Sequence, residues 1–356
     1  MSRPSVMQVD TEALCRIADG GAVLGAGGGG NPYVGRLMAA QALAGGKTVP
    51  VVSLDEFADD ELILPIAMMG APAVMVEKFP SGNEIPSLVA MMERLMDRKV
   101  SAILCIEAGG LNSTIPFAAA AYMGLPIVDG DAMGRAFPEL QMVTFTLGGI
   151  RATPMAMFDD KGNGATFDTI SNKWTERLAR ALTIEMGGSA MVGLYAVTAG
   201  QIRDLLIKGS LTMAHRIGCL MQEHGADAAR VLAETFGGAI LFRGRVRDVA
   251  RRNEGGFTRG TLSIEGTGDF RRRDLVLSFQ NEFLAAEEDG RVLASTPDLI
   301  TLLDANTGEP VTTEMVKYGL AINVLGLPCA PIWRTPAALE LVGPRYFGLD
   351  VDYRPL

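Results

Sequence analysis

The 356-residue chain reads as an N-terminal α/β unit followed by a C-terminal α+β unit. The first has a mostly parallel sheet with flanking helices; the second has helices against a largely antiparallel or mixed sheet. Three observations predict this. Up to about residue 150, apolar runs and helical patterns alternate as strand then helix, the order of parallel sheets with right-handed crossovers. Phe158-Asp159-Asp160-Lys161-Gly162-Asn163-Gly164 is polar and glycine-rich, which places the units at 1–165 and 166–356. From Ala239 onward short strand patterns dominate, at 239–249, 257–265, 274–285, 291–294, 299–303 and 319–325. Asp289-Gly290 and Asn306-Thr307-Gly308-Glu309-Pro310 are turn signals between them.

Taken in order, Thr11 to Asp19 reads as a short helix. Ala22-Val23-Leu24 then leads into Gly25-Ala26-Gly27-Gly28-Gly29-Gly30-Asn31-Pro32, and a helix runs from Pro32 through Ala44. Gly25, Gly27 and Gly30 satisfy the dinucleotide spacing G-x-G-x-x-G, but the strand before them is only three or four residues long and a helix precedes it. An NAD cofactor is therefore not expected. Backbone N–H groups of such a loop suit an anion or carboxylate at a helix start, making Gly28, Gly29, Gly30 and Asn31 candidate substrate-binding residues. Thr48 to Ser53 and Leu62 to Met69 read as strands, and Glu84 to Lys99 as an amphipathic helix.

Val100 to Ile106 is a buried strand ending in Glu107 and a Gly-Gly pair. Ser113, Thr114 and Pro116 are helix-start residues, and the helix ends at Gly124. A short strand, Pro126 to Val128, ends in Asp129 and Asp131. Two neighbouring strands thus bring Glu107, Asn112, Asp129 and Asp131 to the sheet edge where open α/β sheets bind ligands. Asp131 also suits the N-cap of a helix over Ala132 to Phe137. Gln141 to Leu147 reads as a strand.

In the second half, Asn172 to Met186 is helical, with Trp174, Leu178 and Leu182 at helical spacing. Ala190 to Val197 reads as a strand, Ile202 to Ile207 and Leu211 to Glu223 as helices, and Ala337 to Val342 as a closing helix. In Leu277-Ser278-Phe279-Gln280-Asn281-Glu282-Phe283, three consecutive polar side chains interrupt an apolar pattern. Either the strand bulges or ends there, or Gln280, Asn281 and Glu282 face a polar pocket.

Charge and composition limit the partners. A net charge of -9 with no long basic cluster argues against nucleic acid. Arginines at 243, 245, 247, 251 and 252 partly alternate, giving one strand a basic face, most simply a solvated one. The four cysteines, 15, 105, 219 and 329, have neither zinc nor redox spacing, which fits a reducing cytoplasm. The first ten residues lack a signal-peptide core, and uncharged runs such as Leu62–Val76 contain prolines and are too short to span a bilayer. A cytoplasmic protein with no membrane partner is expected. The apolar content and nineteen methionines point to a homo-oligomer. His215 lies mid-helix and His224 at a helix end, with no triad spacing around either. Cys105, two residues before Glu107, is a candidate nucleophile.

Three blocks carry a resemblance: LGAGGGGNPYVGR (24–36), CIEAGGLNSTIPFAAAAYMGLPIVDGDAMGRAFPELQM (105–142), and SFQNEFLAA…DGRVLASTPDLITLLDANTGEPV (278–311). In this order, and spanning nearly the whole chain, they resemble the S-methyl-thiohydantoin desulfurase family, whose members are often labelled hydantoin-utilisation proteins. The resemblance implies the two-unit architecture read above and action on a hydantoin or thiohydantoin ring, a small cyclic amide. The residues then take roles from chemistry. Glu107 or Asp129 is the base, and Asp131 orients it or helps hold a divalent metal with Glu107 and Asp129. Asn112 and the Gly28–Gly30 N–H groups stabilise negative charge, while Gln280, Asn281 and Glu282 hold the ring. The alternatives are a non-catalytic metabolite-binding module, or a partner of a hydantoinase- or oxoprolinase-type enzyme, and behind them an NAD-dependent oxidoreductase.

Overall fold

Asp10 accepts a hydrogen bond from the Ala13 N–H (2.9 Å) and starts helix α1, Thr11–Leu24, the usual work of an N-cap aspartate. The computed structural model describes residues 3–30, 32–70 and 83–356. Strand β1 (Met7–Val9) precedes α1, and α2 (Pro32–Ala42) follows the glycine run. Then come β2 (Val49–Val52), β3 (Leu62–Gly70), α3 (Glu84–Met96), β4 (Val100–Cys105), α4 (Ile115–Met123) and β5 (Ile127–Val128). β2, β5, β4 and β3 lie side by side in parallel. Leu62 to Leu64 and Ala102 to Cys105 are buried on both faces, as parallel strands between helical layers must be.

Antiparallel strands flank this parallel centre. β1 borders β2, while β9 (Ser189–Gly193), β7 (Met155–Phe158) and β8 (Gly164–Phe167) extend the sheet beyond β3, with β10 (Val197–Thr198) pairing the start of β3. The first sheet therefore takes chain from well past residue 165. Helices α5 (Asn172–Glu185), α6 (Ser210–His224) and α7 (Ala228–Phe236) follow. α1 and α6 touch backbone to backbone. A Cβ on Gly20 would lie 1.8 Å from the Ala214 carbonyl oxygen, and one on Gly218 would lie 2.0 Å from that of Arg16. Only glycine permits that approach.

The second sheet is antiparallel throughout. Its strands are β12 (Ala239–Glu254), β13 (Phe257–Gly266), β14 (Asp274–Gln280), β15 (Glu282–Glu288), β16 (Arg291–Ser295), β17 (Leu299–Asp304), β18 (Pro310–Val311) and β19 (Ala321–Leu327). They lie in the order β16-β15-β14-β13-β12-β19-β17-β18. Alternating inward residues such as Phe242, Leu262, Leu275, Leu277, Ile322 and Val324 form a core separate from the larger one around the first sheet. The α/β plus α+β class thus holds, with parallel pairing among the described residues confined to four central strands. Among the described residues no helix is long and apolar enough to cross a membrane.

Several local expectations change. Ala22 to Leu24 are the last turn of α1, so the glycine loop joins two helices and has no strand before it; the dinucleotide context is missing. Gln141 to Leu147 is a bend and one helical turn, with the Thr146 N–H bonded to the Val143 carbonyl (3.0 Å). Its buried Met142, Val143 and Phe145 produced the strand-like pattern, and a short apolar run does not separate the two. No helix forms at 132–137; Asp131 instead sits in β6 (Gly130–Asp131), paired with β11 (Ile207–Lys208). The 274–285 run breaks at Asn281 into β14 and β15. Finally, α5 turns most of its apolar stripe outward. Trp174 and Leu178 are exposed and Leu182 is half-buried against the core, while Thr175, Glu176, Ala179 and Thr183 are buried.

Candidate active site

The carboxyl ends of β3 and β4 open onto a cleft holding about 110 Å³ of free space. Its walls include Met68 and Met69 from β3, Glu107 just past β4, Gly29 and Gly30, and Asn281 and Glu282 from the β14–β15 turn. This is where a parallel sheet presents its ligand site. The turn is tight: Gln280 pairs with Glu282, and Asn281 sits at the tip with φ 57°. Asn281 is stapled to β13, its N–H donating to the Thr258 carbonyl (2.7 Å) and its Oδ1 accepting from the Thr258 N–H (2.9 Å).

The turn docks on the glycine loop. The Phe283 N–H donates to the Ala26 carbonyl (2.8 Å), and the Thr313 N–H to that of Gly27 (2.8 Å). The Gly29 N–H donates to Oε1 of Glu282 (3.2 Å), while the Gly28 N–H is spent on the Gly25 carbonyl (2.8 Å). So the loop cradles a carboxylate, as its chemistry suggests, but the carboxylate is the chain's own. A Cβ on Gly28 would lie 2.2 Å from Oε1 of Glu282, so glycine there is a steric requirement. Asn31 lies outside the described residues.

Glu107 and Glu282 are the two acids facing the cleft that carry unsatisfied oxygens. Glu107 Oε1 accepts from Asn112 Nδ2 (2.7 Å), and Oε2 of each glutamate is buried without a hydrogen-bond partner. Burial pushes Glu107 up to about 8, opposed by the Asn112 bond and reinforced by the charges of Glu282 and Asp131. Burial likewise pushes Glu282 up to about 8, opposed by nearby Arg135 and by the Gly29 N–H. Burial thus holds each of the two carboxyls toward its protonated form.

Asn112 is a positioning residue. Its Oδ1 accepts from the Met68 N–H (2.8 Å) and its Nδ2 donates to the Met68 carbonyl (3.2 Å), which fixes the amide so that it must donate to Glu107. Behind Glu282 lies Arg135, fully buried, with its donors on main-chain carbonyls of Ala136, Pro297, Asp298 and Phe283. The remaining cleft wall carries Glu139, Glu176 and Arg180. Glu176 accepts from the Leu140 N–H (2.9 Å) and pairs with Arg180, whose guanidinium lies 4.2 Å from the Phe257 ring centroid. The tip of the β12–β13 hairpin thereby meets α5 at the cleft.

The structure sets the other expected residues apart from the cleft. Asp131 is fully buried and accepts from the Ala108 N–H (2.7 Å), the Gly134 N–H (2.9 Å) and Ser210 Oγ (2.6 Å). Burial raises it to about 6 against those bonds. Asp129 caps α6, accepting from the Leu211 N–H (3.2 Å), the Thr212 N–H (3.1 Å) and Thr212 Oγ1 (2.5 Å). With acceptors so occupied, both pin α6 to the sheet edge. Asp129→Ala should therefore cost about 1–2 kcal/mol of stability, read as a Tm several degrees lower, with little change in cleft chemistry. Glu107, Asp129 and Asp131 do not converge on a point, and among the described residues no group of three His, Cys, Asp or Glu side chains is arranged to hold a metal ion. Gln280 lines a different cavity. Cys105 is fully buried, and its thiol is pushed well up, first by burial and then by Asp131, Asp129 and Glu107.

Sequence reasoning missed Arg135, Glu139, Glu176 and Arg180. The one signal for Arg135 is a lone charge in the run Ala132 to Phe137. For Glu176 and Arg180 it is an i,i+4 acid–base pair, which on most helices faces water.

The raised glutamates have a stability consequence. Their folded values, about 8, exceed the ordinary 4.5, so the native state holds their protons more tightly than the unfolded chain does. Their stabilising contribution is complete below about pH 4.5 and is lost as pH rises through about 8. Tm should fall across that window, and Glu107→Gln should flatten the fall.

With this geometry in place, comparison with known proteins decides the family. Residues 12–169 match the S-Me-THD-like N-terminal domain, and residues 170–356 match the S-Me-THD-like C-terminal domain. The chain belongs to the S-Me-THD-like family. No curated protein matches it. The crystal structure of a protein from Chromobacterium violaceum is similar at 23% sequence identity, with a TM-score of 0.82, covering 98% of this chain and 100% of the other. At that identity the likeness shows the fold of this S-Me-THD-like chain.

Proposed function

We propose that this S-Me-THD-like protein hydrolyses a hydantoin-type ring bearing sulfur, in the cleft between the parallel sheet and the β14–β15 turn. The observation that carries the reading is the pair Glu107 and Glu282, each buried in the cleft wall with one oxygen free of partners. Family membership supplies the substrate class.

The chemistry is an addition followed by an elimination. Ionised Glu107, held by Asn112, takes a proton from water as the water oxygen bonds to the ring carbon that bears sulfur. Glu282 enters protonated and gives its proton to the departing sulfur as the carbon–sulfur bond breaks. The proton on Glu107 passes to the ring nitrogen, and the water's second proton, carried on the new hydroxyl, returns to Glu282 as the carbonyl forms. For an S-substituted ring the products are a thiol and the ring with a carbonyl in place of the carbon–sulfur bond, so one water is consumed and each atom is accounted for. The apolar floor of Met68, Met69, Met155 and Leu194 suits the flat ring and excludes bulk water, which strengthens the electrostatics of the pair.

The test is thiol release from a panel of S-alkyl thiohydantoins and sulfide release from unsubstituted thiohydantoins. Stoichiometric release that needs intact Glu107 and Glu282 is expected. Tight binding of a ring with no release would transfer the cleft to a binding module.

A further inference from the structure

The arginines of the basic strand, Arg243, Arg245, Arg247, Arg251 and Arg252, are exposed as a solvated face would be, and the last two border a cavity. β12, β13 and β14 carry a second cavity of about 440 Å³, walled on its far side by Phe347 and Leu349 near the C-terminus. Register pairs Arg252 with Arg259 and Arg259 with Gln280. Side chains paired across strands stand on one face, so this row crosses β12, β13 and β14. Arg252, Arg259 and Gln280 line the cavity; Arg251 borders it, but its guanidinium donates to the Val316 carbonyl. Thr261 and Ser278, paired in the next row, add hydroxyls. No carboxylate lines the cavity among the described residues.

Arg259 is the informative residue. Its Nε is buried and has no hydrogen-bond partner; its guanidinium carbon lies 6.0 Å from the Phe257 ring centroid, and no ion pair involving it is found among the described residues. A desolvated guanidinium N–H without an acceptor is unfavourable unless a ligand provides one. Arg252 has a single exposed partner, Glu254, at 3.4 Å. The opposite wall, Leu284, Phe347 and Leu349, is apolar. Guanidinium forks on one side and apolar side chains on the other match a charged head on a hydrophobic body.

We propose that this cavity binds a small organic anion, a carboxylate or phosphate ester with an apolar body, through Arg259 and Arg252. The site is separate from the cleft and does not depend on the ring chemistry assigned there.

Isothermal titration of the full chain with benzoate, phenyl phosphate and inorganic phosphate tests this. One site is expected for benzoate or phenyl phosphate, with inorganic phosphate weaker because it lacks the apolar body. Arg259→Gln should weaken binding at least about tenfold, the scale of one charge-assisted hydrogen bond, and Glu107→Gln should leave it unchanged. Arg252→Gln, at an exposed position, should also weaken it and decides the matter if the Arg259 variant does not fold. Absence of binding by all three probes, binding undiminished in the arginine variants, or binding lost in Glu107→Gln would overturn the proposal. Equal affinity for inorganic phosphate would remove the apolar wall from it.

Discussion

Glu107→Gln is expected to lower thiol release by about 10²–10⁴-fold, the usual worth of a positioned general base, in a chain that stays folded. The two halves of that expectation have different causes. Activity falls because the amide cannot take a proton from water, although it keeps the shape of the side chain and its contact with Asn112. Stability does not fall with it, because the native state already resists ionising Glu107, whose value lies near 8. Replacing a reluctant buried acid by a neutral isostere removes a desolvation penalty. Above about pH 8 the variant should melt higher than the parent. A variant that loses activity and stability together would make Glu107 a structural residue instead.

Gly28→Ala carries the second large effect, about 10²-fold in kcat/KM, the scale of a misplacement of roughly 1 Å. The added Cβ meets Oε1 of Glu282 at 2.2 Å and its Cδ at 2.5 Å, so the glutamate must move. Gly28 does not have positive φ, so backbone strain is not the cause. A double variant separates the contributions. Glu282→Ala added to Gly28→Ala removes the clash and should recover stability while turnover stays lost. If Gly28→Ala is fully active, Glu282 does not need its observed place and the proton-donor role is wrong.

What the sequence made legible follows from which signals are local. The apolar runs of β3 and β4 and the Gly-Gly after Glu107 are short-range patterns, and they locate the sheet edge where the cleft lies. Gln280, Asn281 and Glu282 stood out because three polar residues broke a strand; Glu282 and Asn281 reach the cleft, and Gln280 points to the second cavity. The roles of Asp129 and Asp131 were not legible, since a carboxylate after a strand looks the same whether it faces a ligand or the first turn of α6. That depends on partners about 80 residues away, Ser210 to Thr212. The inward polar face of α5 was hidden for a related reason. Helical spacing identifies two faces, and packing against β3 and β9 decides which one is covered. Similarly, the glycine loop looked like an anion site for a ligand, and its anion is Glu282, more than 250 residues on.

Attack by water on the sulfur-bearing ring carbon between Glu107 and Glu282 can be followed by running the reaction on an S-alkyl thiohydantoin in water enriched in oxygen-18 and weighing the ring product. One heavy oxygen in the product ring, one equivalent of free thiol, and loss of both signals in Glu107→Gln are expected. A ring product without heavy oxygen, or heavy oxygen incorporated equally well by Glu107→Gln, would contradict it.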